Sequence, residues 1–152
     1  YVDCIVKDHV SGQLKIAPEH ISDEVLALMG KPGPNVLLDF KDMFDGSNRR
    51  HGKQQFLTYY FMAAHPGCGN RAMEELREFV HTELRTNPEQ VQIFTPTPST
   101  VSSLMYYTRR DYADRRNVWS EHIPKLKQVQ KDIVVKGTPV RRGSAASRSA
   151  KR

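Results

Sequence analysis

Cysteine is scarce in this sequence: only Cys4 and Cys68 occur among 152 residues. Two thiols so far apart build no disulfide framework. They also fall short of the four close-spaced ligands of a structural zinc site, which leaves free reduced thiols as the reading. Long apolar runs are lacking too, and none approaches the length of a membrane-spanning helix. Residues 1–10 carry acids and a histidine, so they are not expected to act as a secretory leader, and a cytoplasmic location is the default expectation. Phosphate-cradling lysine loops and dinucleotide glycine fingerprints are absent. So are a nucleophile elbow and a histidine pair with zinc-protease spacing. What remains is a chain with 38% hydrophobic and 26% charged residues, enough for one modest packed domain.

Basic excess is also thin over most of the chain. Five of the six net positive charges are Arg141, Arg142, Arg148, Lys151 and Arg152, in a stretch without acids. Residues 1–136 are therefore near neutral and carry no nucleic-acid footprint. The Ser-, Ala- and Gly-rich stretch 137–152 cannot bury enough apolar surface to order itself, so a basic disordered tail is expected there. Its functional reading is weak, salt-sensitive contact with phosphates. A small α/β binding module whose tail touches nucleic acid or acidic partners is thus one function to weigh.

Three apolar, aromatic or β-branched runs read as strands, each stopped by proline: 14–17 before Pro18, 56–64 before His65-Pro66-Gly67, and 91–94 before Thr95-Pro96-Thr97-Pro98. Helices fill the gaps. Ser22 is placed to cap one, Asn35 a second and Asn70 the clearest, in which Met73, Leu76, Phe79, Val80 and Leu84 recur at helical spacing. A last amphipathic stretch carries Leu126, Val129 and Ile133, and residues 1–9 read as the end of a further helix. Strands alternating with helices imply parallel pairing through right-handed crossovers. The central strand is nearly all apolar, as expected when both faces are covered. A chain that begins inside an element and has only three strands suggests a piece of a larger sheet.

Parallel α/β sheets bind ligands at the carboxyl ends of their strands. Glu19 and His20 stand at the first such end, where they read either as an acid–base pair or as a salt-bridged or capping pair. His65-Pro66-Gly67 precedes a helix whose free amides favour an anion, or is an ordinary strand-to-helix turn. Cys68 in that loop is expected to feel the helix end as a lowered pKa. Met105-Tyr106-Tyr107-Thr108 reads as a stacking surface or as core, and Trp119 as a residue packing a loop on the body.

Six segments taken together resemble the YgiQ-type radical S-adenosylmethionine family, in order and in approximate spacing. They are residues 9–20 (HVSGQLKIAPEH), 28–32 (LMGKP), 56–61 (FLTYYF), 64–68 (AHPGC), 90–98 (QVQIFTPTP) and 105–108 (MYYT). Beyond Thr108 the likeness fades, save that Leu126–Val134 resembles a family helix. At Gly69 the family usually has a helix-capping threonine, a role left here to Asn70.

That resemblance implies an α/β fold: a partial (βα) barrel fragment of three parallel strands with flanking helices and a disordered C-terminal tail. Residues 1–108 would be the later half of the radical enzyme barrel, 109–136 a peripheral helical extension, and 137–152 the tail. In the family, three cysteines spaced Cys-x3-Cys-x2-Cys hold a 4Fe-4S cluster, and S-adenosylmethionine on the fourth iron is the source of a radical that abstracts hydrogen. This sequence has no such triplet. The implied role is the nucleoside and substrate side of the pocket, inactive alone and holding neither cofactor by itself. By position, Lys15, Glu19 and His20 would face ribose or substrate. His65, Pro66 and Gly67 would form the turn beside the cofactor, and Thr95 and Thr97 would meet adenine. The expected partner is the remainder of the barrel. An uncovered apolar inner face would favour self-association.

Overall fold

The computed structural model describes residues 1–88 and 90–136. The stretch expected to be a basic tail, 137–152, lies outside the described residues. A short helix α1 (Val2–Cys4) runs into a π turn (Ile5–His9) and then strand β1 (Gln13–Glu19). Two helices, α2 (Asp23–Met29) and α3 (Pro34–His51), lead to strand β2 (Phe56–Ala63). Helix α4 (Asn70–Phe79) continues as a π turn (Val80–Leu84) to strand β3 (Gln90–Ile93), and α5 (Val101–Thr108) and α6 (Pro124–Val135) follow. The strands form one open sheet in the order β1-β2-β3, both pairs parallel.

Period-two alternation decides what each strand shows to either side. Tyr59, Phe61 and Ala63 of β2 are buried against Met73, Leu76 and Val80 of the α4 segment and Ile133 and Val134 of α6. Ile16 and Val91 extend that core along the flanking strands. The alternate residues come out on the other side. There Gln13 Nε2 donates to Thr58 Oγ1 at 2.9 Å and Lys15 Nζ lies 5.7 Å from the Tyr60 ring centroid. Gln13, Lys15, Ala17, Gln90 and Gln92 are exposed, and Thr58, Tyr60 and Met62 half-buried. So among the described residues the helices cover one face of the sheet. The bare face is mixed and polar, not the apolar surface expected, although the central strand reads as apolar on both sides.

Several boundaries differ from the sequence expectation for physical reasons. Strand β1 runs through Pro18 to Glu19. It is an edge strand, and its register with β2 slips between Ile16 and Glu19, so the missing Pro18 donor falls where the ladder is already broken. Helix α3 starts at Pro34 after Gly33, so Asn35 is inside it; proline suits the first helical position because its absent N–H would have no partner there. Gly69 takes the cap position of α4 and Asn70 is its first helical residue. Ser22 does sit at the cap position of α2, but its hydroxyl makes no capping bond.

On α6 the inward face is turned one residue from the apolar pattern. Leu126 and Val129 are 43% and 41% exposed, whereas Lys127, Gln130, Ile133 and Val134 are buried. Lys127 Nζ donates to the Tyr106 hydroxyl at 2.9 Å and lies 4.5 Å from that ring's centroid, which compensates a buried ammonium. Gln130 accepts from the Ala64 N–H at 3.0 Å and donates to the Cys68 carbonyl at 3.1 Å. One side chain thus satisfies two backbone groups in the loop that follows β2. Replacing Gln130 with Ala strands both, and we expect a loss of about 2–4 kcal/mol in urea unfolding; Gln130→Glu, which sets an unpaired carboxylate against the Cys68 carbonyl, should lose at least as much.

Candidate functional site

Strands β1 and β2 leave the sheet side by side, each through a left-handed residue, Glu19 (φ 66°) and Ala64 (φ 60°). Such backbone is strained for residues with a Cβ and is held only by its surroundings. At the β1 exit, Lys31 supplies them. Its ammonium lies 3.1 Å from Glu19 Oε1 and donates to the Ala17 carbonyl at 2.9 Å. At the β2 exit the holding group is Gln130.

His20 and His65 meet beneath these exits, and both are buried, at 1% and 2% exposure. His20 Nδ1 accepts from the Ser22 N–H at 3.0 Å, so the ring proton is on Nε2, which faces Cys68 Sγ at 3.5 Å. The thiol also approaches Met73 Sδ at 3.4 Å and Gln130 Oε1 at 3.6 Å. His65 Nδ1 donates to the Pro66 carbonyl at 2.8 Å, which leaves Nε2 to accept from Ser102 Oγ at 2.8 Å. Every ring nitrogen is therefore engaged inside the chain. His65 also sits edge-on to Phe94, which packs on Tyr106.

Burial sets the charge state of this cluster. Desolvation pulls His20 down to about 4, helped by the nearby His65, and lowers His65 as well. It pushes the Cys68 thiol up to about 12. The helix end does not activate Cys68, contrary to the sequence expectation. The low-dielectric surroundings outweigh the dipole and keep the thiol protonated.

Gly67 (φ 86°) makes the turn between Pro66 and Cys68, and a Cβ there would collide with Leu28 Cδ1 of α2. Its N–H donates to the Trp119 carbonyl at 2.7 Å. Trp119 thus fastens its loop through the backbone, while the residue as a whole stays 53% exposed. The structure brings Glu19, His20, His65, Pro66 and Gly67 to one end of the sheet. Lys15 stands apart, on the bare face. Thr95 and Thr97 are exposed past β3, where the Thr97 carbonyl accepts from Ser103 Oγ at 2.6 Å at the start of α5. Within the Met105–Thr108 stretch, Met105 and Tyr106 are core and Tyr107 is 73% exposed. Lys31, Ser102 and Gln130 were missed as site residues. Only Lys31 had a sequence signal, in the Gly30-Lys31-Pro32 segment.

The donors present do not fit an iron–sulfur cluster. Among the described residues no three His, Cys, Asp or Glu side chains converge as metal ligands. Cys4 is exposed at the start of the chain and Cys68 is the buried thiol described above. Also among the described residues, no helix is long and apolar enough to cross a membrane.

Comparison with known proteins gives relatives but no match to a family profile. The chain is 55% identical over 134 residues to a UPF0313 protein of Fusobacterium nucleatum, covering 88% of this chain and 24% of that protein. It is 41% identical over 134 residues to a UPF0313 protein of Methanosarcina mazei (88% and 21%). It is 42% identical over 130 residues to one of Clostridium botulinum (86% and 20%). The chain thus spans less than a quarter of the length of these relatives. A match of 134 residues cannot fit within 1–108, so the likeness runs past Thr108, where the motif reading had it fade.

A proton linkage follows from the buried rings. Between pH 6.5 and about 4 the unfolded chain takes up a proton that folded His20 refuses, so stability falls as pH drops through that window. The full difference is on the order of 3 kcal/mol once pH is below 4, with His65 adding in the same direction. Urea melts at pH 7.5, 6, 5 and 4 should show this slope, and His20→Gln should flatten it; an unchanged slope in that variant would remove His20 as its source.

Proposed function

We propose a function that starts from a plain premise: the homologues of this chain are UPF0313 proteins, the YgiQ-type family, matched along a segment of their length. On that premise the chain is the nucleoside and substrate wall of a radical S-adenosylmethionine, iron–sulfur enzyme. Its three strands are consecutive staves of a (βα) barrel, and the bare sheet face looks into the lumen. The observation that carries this reading is the one-sided sheet. Parallel strands are normally covered on both faces, and here the uncovered face holds Lys15, Thr58, Tyr60 and Gln92.

Within that reading each residue has a part. Lys15, Thr95 and Thr97 have exposed polar groups and are the ones assigned to the nucleoside and substrate. The Pro66-Gly67 turn brings backbone close to the cofactor. Glu19, with Lys31, and the buried His20 and His65 hold the exit loops in place and, as neutral rings, add no charge to the rim. The cluster is ligated by the longer protein outside this segment, because the donors of this chain do not suit it. The cofactor would supply hydrogen-atom abstraction when bound. The partner is the rest of the barrel.

Fragment complementation tests this. The Fusobacterium nucleatum relative, deleted for its matched segment, would be produced with and without this chain and reconstituted with iron, sulfide and reductant. Release of 5′-deoxyadenosine from S-adenosylmethionine is expected only when both parts are present. Micromolar S-adenosylmethionine binding by this chain alone, read by calorimetry, would count against it. Isolated, the chain should also self-associate through the bare face and free strand edges as concentration rises in sedimentation velocity; Tyr60→Lys, placing a second charge there, should reduce that association.

A further inference from the structure

The near-neutral charge of residues 1–136 is unevenly spread once the chain folds. Between α5 and α6 the backbone doubles back as a short antiparallel hairpin. The Val118 N–H donates to the Arg109 carbonyl and the Asp111 N–H to the Arg116 carbonyl, both at 2.9 Å, with Arg110 paired to Asn117 between them. The turn is stiffened by its own acids. Asp111 Oδ1 accepts from the Ala113 N–H at 2.9 Å and Asp114 Oδ1 from the Arg116 N–H at 3.0 Å. Their second oxygens lie 3.4 and 3.7 Å from Arg116 Nε. Both acids and one arginine are thus engaged inside the hairpin. Arg109, Arg110 and Arg115 are exposed and make no ion pair among the described residues. Four arginines against two aspartates give residues 109–116 a net +2, which leaves −1 for the rest of residues 1–136, whose total is +1.

Burial fixes which way the hairpin faces. Asp111 and Val118 turn toward the body, at 7% and 5% exposure, so the alternate pair, Arg110 and Asn117, faces outward. Arg110 reaches across that outward face, where its Nη1 donates to the Arg115 carbonyl at 3.4 Å. Tyr112, in the turn between these two arginines, is 58% exposed.

This surface is open, so a small anion would meet only solvated charges there and gain little. A polyanion engages several guanidiniums at once and gains further from the counterions it releases. The exposed tyrosine narrows the choice. An acidic peptide offers it nothing flat, and the bases of a duplex are already stacked on one another. We infer that the 109–118 hairpin is a binding surface for single-stranded nucleic acid, with phosphates on Arg109, Arg110 and Arg115 and an unpaired base on Tyr112. Arginine suits the task, because its planar donors meet phosphate oxygens two at a time. The inference stands apart from the radical-enzyme reading and from the basic stretch 137–152.

A fluorescein-labelled oligouridine of about twelve nucleotides, titrated with the full chain, should give a saturable rise in anisotropy that weakens steeply with salt. Oligothymidine should bind comparably, and a duplex of the same length should compete poorly. Arg110→Ala combined with Arg115→Ala should weaken binding at least about tenfold and flatten the salt slope by more than about one. Tyr112→Ala should weaken it about fivefold with the slope unchanged. Circular dichroism checks that these exposed substitutions leave the fold intact, and Arg115→Glu gives a second, independent loss. Replacing Arg141, Arg142 and Arg148 with Ala should leave most of the affinity in place. Loss confined to that last variant overturns the inference, as does equal competition by polyglutamate or an unaltered affinity in the Tyr112 variant.

Discussion

A parallel strand buries both of its faces or leaves one without a counterpart. Here all the covering helices among the described residues lie on one side of β2, and everything else follows from that. The main core is a seam between Tyr59, Phe61 and Ala63 and the apolar stripe of α4 and α6, joined by Val25 of α2 and Leu37 of α3. The opposite face keeps the alternate residues, and these mix amide, hydroxyl and ammonium groups with Phe56, Tyr60 and Met62 rather than forming a second core. In the isolated chain such a surface is only partly suited to water, since Phe56 stands 57% exposed on it. The same surface would line a polar cavity once further strands curve round.

The strand exits show a different economy. Two left-handed residues in neighbouring exits are supported by long polar side chains from a distance in sequence, Lys31 for one and Gln130 for the other. The two histidines between them are packed as neutral, fully hydrogen-bonded rings. That arrangement makes the sheet end stiff and nearly uncharged, and it moves reactive polarity outward, to Lys15 on one side and to the threonines past β3 on the other.

The strands were legible because aromatic and β-branched runs end at proline, and each was placed within a residue or two. Pro18 misled only because an edge strand with a slipped register can absorb a proline. Helix α6 was harder. Its apolar positions Leu126 and Val129 pointed one way, yet the chain turns Lys127 and Gln130 inward, because Tyr106 and two stranded backbone groups demand polar partners that hydrophobic periodicity does not register. The convergence of Glu19, His20 and His65 at one end of the sheet followed from parallel topology. Their enclosure did not, since it depends on Ser102, Cys68 and Gln130, which come from three separate elements. Cys68 shows the same limit: a helix start beside it suggested activation, and only its burial reveals the opposite.

The Lys31 ammonium on the Ala17 carbonyl reaches beyond its own loop. In the parallel register of β1 with β2, the amide groups of Gln13, Lys15 and Ala17 point to the free edge. An added strand could zip along the first two and would then find the next acceptor already taken. The side chain that steadies Glu19 therefore also works as an end stop, fixing how far along the sheet a neighbour can run before it must turn away.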